Sequence, residues 1–432
     1  MSFLPQIEFA SKAEVDREQL TRLRDIVNYV SANSPFYKDA FSRAGLSSLD
    51  IRTLRDLAKF PFTTKDELYE RNWDFLCVPK TNVAEYTSTS GTLGKPVTIA
   101  LTVNDVERIA YNEAISFACA DGAKGDLYQL MLTLDRQFMA GMAYYEGIRK
   151  IGAGLVRVGP GLPLLQWETI DRLRPTAVVG VPSFIVKLLD FADENNIQYN
   201  DKSIKKILCI GESIRDVDLQ PNALARAITD RWNVQLFSTY ASTEMQTAFT
   251  ECRRGVGGHH HPELVYIELL DEKGHSVPDG EPGEVVMTTL GVEGMPLIRY
   301  KTGDITRAYA AKCECGRVTM RLGGIEGRKQ QMIKFKGTTL YPPSIFNVLN
   351  SLDSVADYVV EVYHNTYKTD EIRIYVCARD IDQNVGMMQE LQSRFQSSLR
   401  VVPEIVCSSK ENLENLNGAR RSHKISRFID SR

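Results

Sequence analysis

Apolar residues at helical spacing open the chain. Leu20, Leu23, Val27 and Val30 form a stripe that predicts a helix ending before the turn-forming pair Ser34-Pro35. A second helix start is expected after Pro61-Phe62-Thr63, where Thr64 and Glu67 stand three apart as in a capping box. Further on, two periodicities alternate. Short strand-like runs at 127–134, 177–181, 206–210 and 234–237 predict strands, and the segments 183–195 and 222–232 predict helices. This alternation is the pattern of an α/β fold.

From Val265 the pattern changes to hairpins. The run 265–270 turns through Asp271-Glu-Lys-Gly274, and a second strand is expected at 283–290, which together predict a β-rich subdomain. A polar stretch, 323–331, precedes a compact α+β tail with a helix at 343–352, a hairpin around 365–370 and a helix at 384–399. The boundary is placed near Gly327, giving a large domain over 1–327 and a small one over 328–432. No internal period of 20 to 50 residues is visible.

Composition narrows the function classes. The 432 residues carry 52 Lys+Arg against 55 Asp+Glu, a net charge of −3, so there is no bulk attraction to nucleic acid or an anionic membrane. Neither partner is expected. Apolar residues at 43% and charged residues at 25% fit a folded globular chain. The first residues lack a basic start followed by an apolar core, and no run of about 18 apolar residues occurs, so the expected address is the cytoplasm. Of eight cysteines, Cys77, Cys119, Cys209, Cys377 and Cys407 stand singly in apolar surroundings and read as reduced core thiols. Cys252, Cys313 and Cys315 differ, because they lie in polar, Gly/His-rich sequence.

Candidate chemistry starts at Thr87-Ser-Thr-Ser-Gly-Thr-Leu-Gly-Lys-Pro96. Its hydroxyls, glycines and lysine (Ser88, Thr89, Ser90, Gly91, Thr92, Gly94, Lys95) could wrap a polyphosphate. It is not a Walker A loop, since Thr89 and Pro96 occupy the places of its first Gly and its Ser/Thr. Alone, it fits an ordinary flexible loop as well. Downstream come Tyr240-Ala-Ser-Thr-Glu244, Arg299-Tyr-Lys-Thr-Gly-Asp304, Gly327-Arg328 with Gly337 and Pro342-Pro343 behind it, and His423-Lys-Ile-Ser-Arg427. In this order and spacing the set resembles the acyl-adenylate-forming enzymes, the superfamily of acyl-CoA synthetases, adenylation domains and luciferases. Ser34-Pro-Phe-Tyr37, Pro61-Phe-Thr-Thr-Lys65 and the short C-terminal domain resemble the phenylacetate-CoA ligase branch, and the likeness spans nearly the whole chain.

The resemblance implies a large adenylate-forming domain, a mobile C-terminal domain, and chemistry with ATP, Mg²⁺ and CoA. A carboxylate must attack the α-phosphate of ATP, two anions that repel, so the site must hold both and neutralise charge as pyrophosphate leaves. Glu244 would bind Mg²⁺, a hard cation that prefers oxygen. Thr243 would contact the α-phosphate, Tyr240 with Ala241 and Ser242 would face adenine, and Gly211-Glu212-Ser213 would line the same ring. Asp304 would accept hydrogen bonds from both ribose hydroxyls, with Arg328 supporting it. Lys424 would reach the α-phosphate and the substrate carboxylate during adenylation, although His423 replaces the usual Gly before it. After adenylation the small domain would rotate about a hinge at Gln330, where the family usually has an acidic residue or Lys.

Cys252, Cys313 and Cys315 with His259 supply three sulfurs and an imidazole, the ligand types of a closed structural zinc site. Free thiols beside a solvated His run is the competing reading, and His260 and His261 are alternative ligands. Similar sequences carry a lone His that aligns best with His259. The stretch Phe138-Met-Ala-Gly-Met-Ala-Tyr-Tyr145 falls where the family builds its acyl pocket, and it could equally be core. The expectation is an ATP-dependent acid–thiol ligase acting on a small carboxylic acid, with an aryl acetate first, and a homodimer as its expected assembly. Loading of a carrier-protein thiol, or a nucleotide- or acyl-binding regulator that has lost catalysis, are the alternatives.

Overall fold

The computed structural model describes residues 3–89, 97–379, 384–418 and 427–432. It contains two compact units. One comprises Met1–Pro221, Ala225–Thr302 and Thr306–Gly324, the other Asn222–Leu224, Gly303–Ile305 and Ile325–Arg432.

In the first unit the leading apolar stripe forms the helix Lys12–Asn33. Ser11 and Glu14 cap it reciprocally, the Ser11 hydroxyl taking the Glu14 N–H at 3.3 Å and the Glu14 carboxylate taking the Ser11 N–H at 2.8 Å. Leu23, Ile26, Val27 and Val30 are buried along one face, each contributing roughly 1.5–3 kcal/mol. The helix stops before Pro35, which starts the next helix, Pro35–Ala44. Thr64 and Glu67 form the capping box of helix Lys65–Glu70.

The α/β centre is a sheet in the order Gly154–Arg157, Leu127–Leu130, Ala177–Gly180, Lys206–Cys209, Gln235–Ser242, Thr247–Thr250. The first five strands are parallel and the last pairs antiparallel. Ala177–Gly180, at the centre of the sheet, is buried at every position, and so is the antiparallel strand Thr247–Thr250. The apolar run at 127–134 yields a strand only to Leu130, because the chain then leaves the sheet through a loop in which Arg136 and Gln137 adopt left-handed φ of 60° and 58°. Helices Pro182–Glu194 and Ala223–Thr229 follow their strands.

A second sheet contains Val265–Leu270 antiparallel to Pro282–Thr289, with Val265 opposite Thr289 and Leu270 opposite Glu284. The turn at Asp271–Gly274 forms as expected, closed by a Gly274 N–H to Asp271 carbonyl bond of 3.1 Å. The chain makes only a single bridge, Leu270 to Ser276, before the long pairing strand begins.

The second unit is α+β. Its sheet runs Glu404–Cys407, Asp370–Ala378, Val355–His364, Phe428–Asp430, with a central antiparallel pair flanked by parallel neighbours. Helices Pro342–Asn350 and Asn384–Leu399 cover it, and Ile345, Leu349, Leu391 and Phe395 pack with Val360 and Ile374 in one core. The thiols divide. Cys77, Cys119 and Cys209 are buried, but Cys407 is exposed, which corrects its reading as a core thiol: it ends an edge strand with only half-buried positions inside it. Among the described residues no helix is long and apolar enough to cross a membrane.

Candidate functional site

In the first unit, two of the predicted motifs, Gly211–Ser213 and Tyr240–Glu244, lie at the carboxyl ends of parallel strands. Chain order reverses between Leu127–Leu130 and Ala177–Gly180, and ligands of open α/β sheets gather at the carboxyl edge near such a reversal. Register pairs Cys209 with Ser238. Two residues on, Gly211 turns away with φ 75°, a conformation glycine adopts freely, while Tyr240 continues its strand. The Gly211–Ser213 turn and Tyr240 are thereby neighbours.

Glu212 takes the Ser183 N–H and hydroxyl, each at 2.9 Å, and so places its charge at the N-terminus of helix Pro182–Glu194. The Ser213 hydroxyl donates to the Arg215 carbonyl at 2.9 Å. Half-buried Tyr240 stacks on Phe249 at 6.0 Å between centroids, leaving Ala241 exposed beside it. Ser242 accepts the Met245 N–H at 3.2 Å, and the turn it starts carries Thr243 and Glu244. Glu244 is half-buried and accepts a long hydrogen bond from the Tyr300 hydroxyl, 3.4 Å.

The hydroxyl-rich segment begins at the end of strand Glu85–Ser88, antiparallel to Thr98–Leu101. Ser88 donates its N–H to the Gln137 carbonyl at 3.0 Å, in the loop beyond the carboxyl end of Leu127–Leu130. The Thr89 hydroxyl accepts the Val97 N–H at 3.1 Å, closing the base of the segment. Ser90, Gly91, Thr92, Gly94 and Lys95 lie outside the described residues, as do His423 and Lys424.

In the second unit, register brings Asp304 opposite Arg328. The Arg328 Nε donates to Asp304 Oδ1 at 3.2 Å; Asp304 is nearly buried, and the Arg328 side chain is 41% exposed. Gln330 sits in the short turn Lys329–Gln331 that follows.

The acyl-pocket stretch forms the start of helix Met139–Lys150, with Phe138 partly exposed and Met139, Ala143 and Tyr144 packed in core clusters. Gly147 on this helix meets Glu113 of helix Val103–Cys119, and a Cβ there would collide with the Glu113 side chain. Burial pushes the Glu113 carboxyl up to about 8, and its Oε2 has no hydrogen-bond partner among the described residues.

Away from these motifs, Cys252, His259, Cys313 and Cys315 converge, their ligand atoms all within 4.8 Å of one another. Tetrahedral zinc with ordinary bond lengths separates two sulfurs by about 3.8 Å and a sulfur from a nitrogen by about 3.6 Å. Here Cys252 Sγ and Cys313 Sγ are 3.8 Å apart, and Cys315 Sγ and His259 Nε2 are 3.5 Å apart. The donor set therefore fits the ion in type and in spacing. Burial drives the His259 pKa down to about 3, so its imidazole is neutral, as a ligand must be. Burial also pushes the Cys252 thiol up to about 12. It opposes ionisation of Cys315 too, but the backbone and guanidinium of Arg317 outweigh it and hold that thiol below its ordinary value. His260 and His261 are used elsewhere: His260 Nε2 meets the Val265 carbonyl at 2.7 Å, and His261 Nδ1 meets Glu8 at 2.5 Å.

Sequence reasoning missed Glu8 and Arg317, which with His261, there weighed only as a metal ligand, form a fully buried cluster beside the thiols. It also missed Arg108, whose guanidinium donates to the Gln246, Leu290 and Leu264 carbonyls. Partners more than a hundred positions apart leave no local periodicity to find them. A charge inside an otherwise apolar helical face, as at Glu113, is the one signal present.

The AMP-binding enzyme family matches residues 37–293. A phenylacetate-coenzyme A ligase of Aromatoleum evansii is 29% identical over 94% of this chain and 92% of its own length. The phenylacetate-coenzyme A ligase of Escherichia coli (strain K12) is 27% identical over 99% of this chain and 98% of its own. A solved 2-hydroxyisobutyryl-CoA ligase, in the postadenylation state in complex with R3-HIB-AMP, shares the fold with a TM-score of 0.87, at 23% identity over 99% of this chain and 92% of that one. The family match alone covers more than half of the sequence and includes the sheet whose carboxyl edge carries Gly211 and Tyr240, and on that ground the chain belongs to the AMP-binding enzymes.

Proposed function

We propose that this chain is an ATP-dependent acyl-CoA ligase of the phenylacetate-CoA ligase kind, joining an aryl acetate to CoA through an acyl-AMP. The observation that carries the reading is the pairing of Cys209 with Ser238, which sets the Gly211–Ser213 turn level with Tyr240 at the carboxyl edge of the parallel sheet. In the first step a carboxylate oxygen attacks the α-phosphorus of ATP and pyrophosphate departs. In the second, the CoA thiol attacks the acyl carbon, AMP leaves, and the thiol proton passes to solvent or base.

The chain's own residues have separable tasks. Tyr240, Ala241 and Ser242, with Gly211, Glu212 and Ser213, border the adenine. Glu212 does so through backbone, since its carboxylate is committed to Ser183. Thr243 donates to the α-phosphate. Asp304, aligned by Arg328, accepts from the ribose hydroxyls. Ser88 and Thr89 fix the base of the phosphate segment, whose Ser90, Gly91, Thr92, Gly94 and Lys95 hold the β- and γ-phosphates. Glu244 offers an oxygen ligand suited to Mg²⁺, which would neutralise phosphate charge when bound. Lys424 offsets the repulsion between carboxylate and α-phosphate in the first step. Rotation of the 328–432 domain about Gln330 then removes it before the second. Zinc at Cys252, His259, Cys313 and Cys315 is structural, since four protein ligands leave no open position.

ATP–pyrophosphate exchange, measured over a panel of carboxylic acids and repeated for thioester formation with CoA, tests the reading. Exchange and thioester formation strongest with aryl acetates are expected. Exchange without turnover of free CoA would overturn the CoA assignment, and no exchange with any acid would overturn the ligase reading.

A further inference from the structure

Beside the Cys/His cluster lies a set of charges that the ligase chemistry does not use. Glu8, His261 and Arg317 are 0%, 0% and 3% exposed, burial that charged groups tolerate only when paired. Glu8 sits in the single turn Gln6–Phe9 at the start of the chain. Its carboxylate accepts from Arg317 Nε at 2.6 Å and from His261 Nδ1 at 2.5 Å. A second arm of the same guanidinium, Nη1, donates to Cys315 Sγ at 3.4 Å.

The backbone makes the same connection. The Cys313–Arg317 turn is closed by the Gly316 N–H to the Cys313 carbonyl at 2.9 Å and the Cys313 N–H to the Arg317 carbonyl at 3.0 Å. The next residue, Val318, donates its N–H to the Glu8 carbonyl at 2.8 Å, and the Arg317 guanidinium lies over the Phe9 ring, 5.3 Å from its centroid. One side chain therefore touches a sulfur of the cluster, the acid of the first turn and the aromatic ring next to it.

Resting on the zinc reading above, we infer that Arg317 and Glu8 form the outer shell of the metal site and that an ion bound there anchors the N-terminal turn Gln6–Phe9. Three thiolates, a neutral imidazole and a dication leave one net negative charge, and Arg317 brings a fixed positive charge to one of those sulfurs. With the ion in place, Cys315 is a full thiolate and a strong acceptor, so Arg317 is held in the fork that also grips Glu8. Without it, nothing fixes the Cys315 sulfur in place, the fork loses one of its two anchors, and the tie between the first turn and the 313–317 loop weakens.

The test uses the full chain reconstituted with Co²⁺ or Zn²⁺, and the variants Glu8→Gln, Arg317→Met and Arg317→Lys. Expected are a loss of about 10- to 100-fold in Co²⁺ affinity for Glu8→Gln and Arg317→Met, a shifted sulfur-to-cobalt charge-transfer band in Arg317→Met, and partial recovery in Arg317→Lys. Hydrogen exchange of the wild type should speed up at residues 3–11 on chelation, with helix Lys65–Glu70 unaffected. Variants with wild-type affinity and spectrum, or exchange at 3–11 that ignores the metal, overturn the inference while leaving the site itself standing. A wild type that binds neither Co²⁺ nor Zn²⁺ overturns the zinc reading and the inference with it, and the exchange experiment on the wild type decides the matter if a variant fails to fold.

Discussion

Asp304 offers the sharpest separation of binding from stability. Its side chain is 11% exposed and accepts from Arg328 at 3.2 Å, while the Arg328 side chain is 41% exposed. Solvent screening limits what that ion pair adds to folding to roughly 0–1 kcal/mol. A ribose bound to the same carboxylate gains charged-acceptor hydrogen bonds worth roughly 1.5–3 kcal/mol, which is about 10- to 150-fold in Kd. Asp304→Asn keeps a carbonyl acceptor and loses the charge, so its affinity for ATP and AMP should fall toward the lower end. Asp304→Ala keeps neither and should fall toward the upper. Calorimetric titration with AMP at fixed salt, beside a thermal melt, reads both quantities. The reasoning fails if Asp304→Ala folds and binds AMP as the wild type does, or if the loss of stability exceeds the loss of binding.

Three further outcomes follow from other parts of the molecule. Lys424→Ala should lower pyrophosphate exchange by about 10- to 1000-fold while sparing CoA acylation from supplied acyl-AMP, and equal losses in both assays would refute its role in the first step alone. Glu113 titrates near 4.5 when unfolded and at about 8 when folded, so between those values the unfolded chain binds fewer protons and stability falls as pH rises. Glu113→Gln removes that penalty, and its gain in Tm over the wild type should be greater at pH ~8 than at pH ~5; a gain independent of pH would show that Glu113 ionises freely. Protein purified without added metal should carry about one zinc per chain and lose it in the Cys313→Ser, Cys315→Ser double variant, whereas a metal-free wild type indifferent to chelator would refute the zinc site.

How far the sequence disclosed these features depended on whether the forces were local. The Thr64–Glu67 box and the Asn384–Leu399 helix were legible because caps and a 3.6-residue stripe act within a few turns. The 127–134 run overshot its strand, since hydrophobicity continues past the point where the left-handed pair Arg136 and Gln137 diverts the backbone. The thiol ligands could be named by type, but the choice among three adjacent histidines required the packing that commits His260 to Val265 and His261 to Glu8. The partnership of Glu8 with Arg317 crosses 309 positions, and no pattern in either neighbourhood announces it.

The separation along the chain of the two ligand pairs, Cys252 with His259 and Cys313 with Cys315, bears on the unfolded protein as much as on the folded one. Cys252 and Cys313 are 61 positions apart, and an ion retained between them closes that stretch into a ring. By the polymer entropy of ring closure, tethering a stretch of this length removes about 4 kcal/mol of disorder from the denatured ensemble. The hairpin of Val265–Leu270 and Pro282–Thr289 lies wholly inside the ring. Its strands would search for their register in a confined volume, so the ion would shorten the path to pairing there, while ring closure itself leaves the helix Lys12–Asn33 outside the confined stretch.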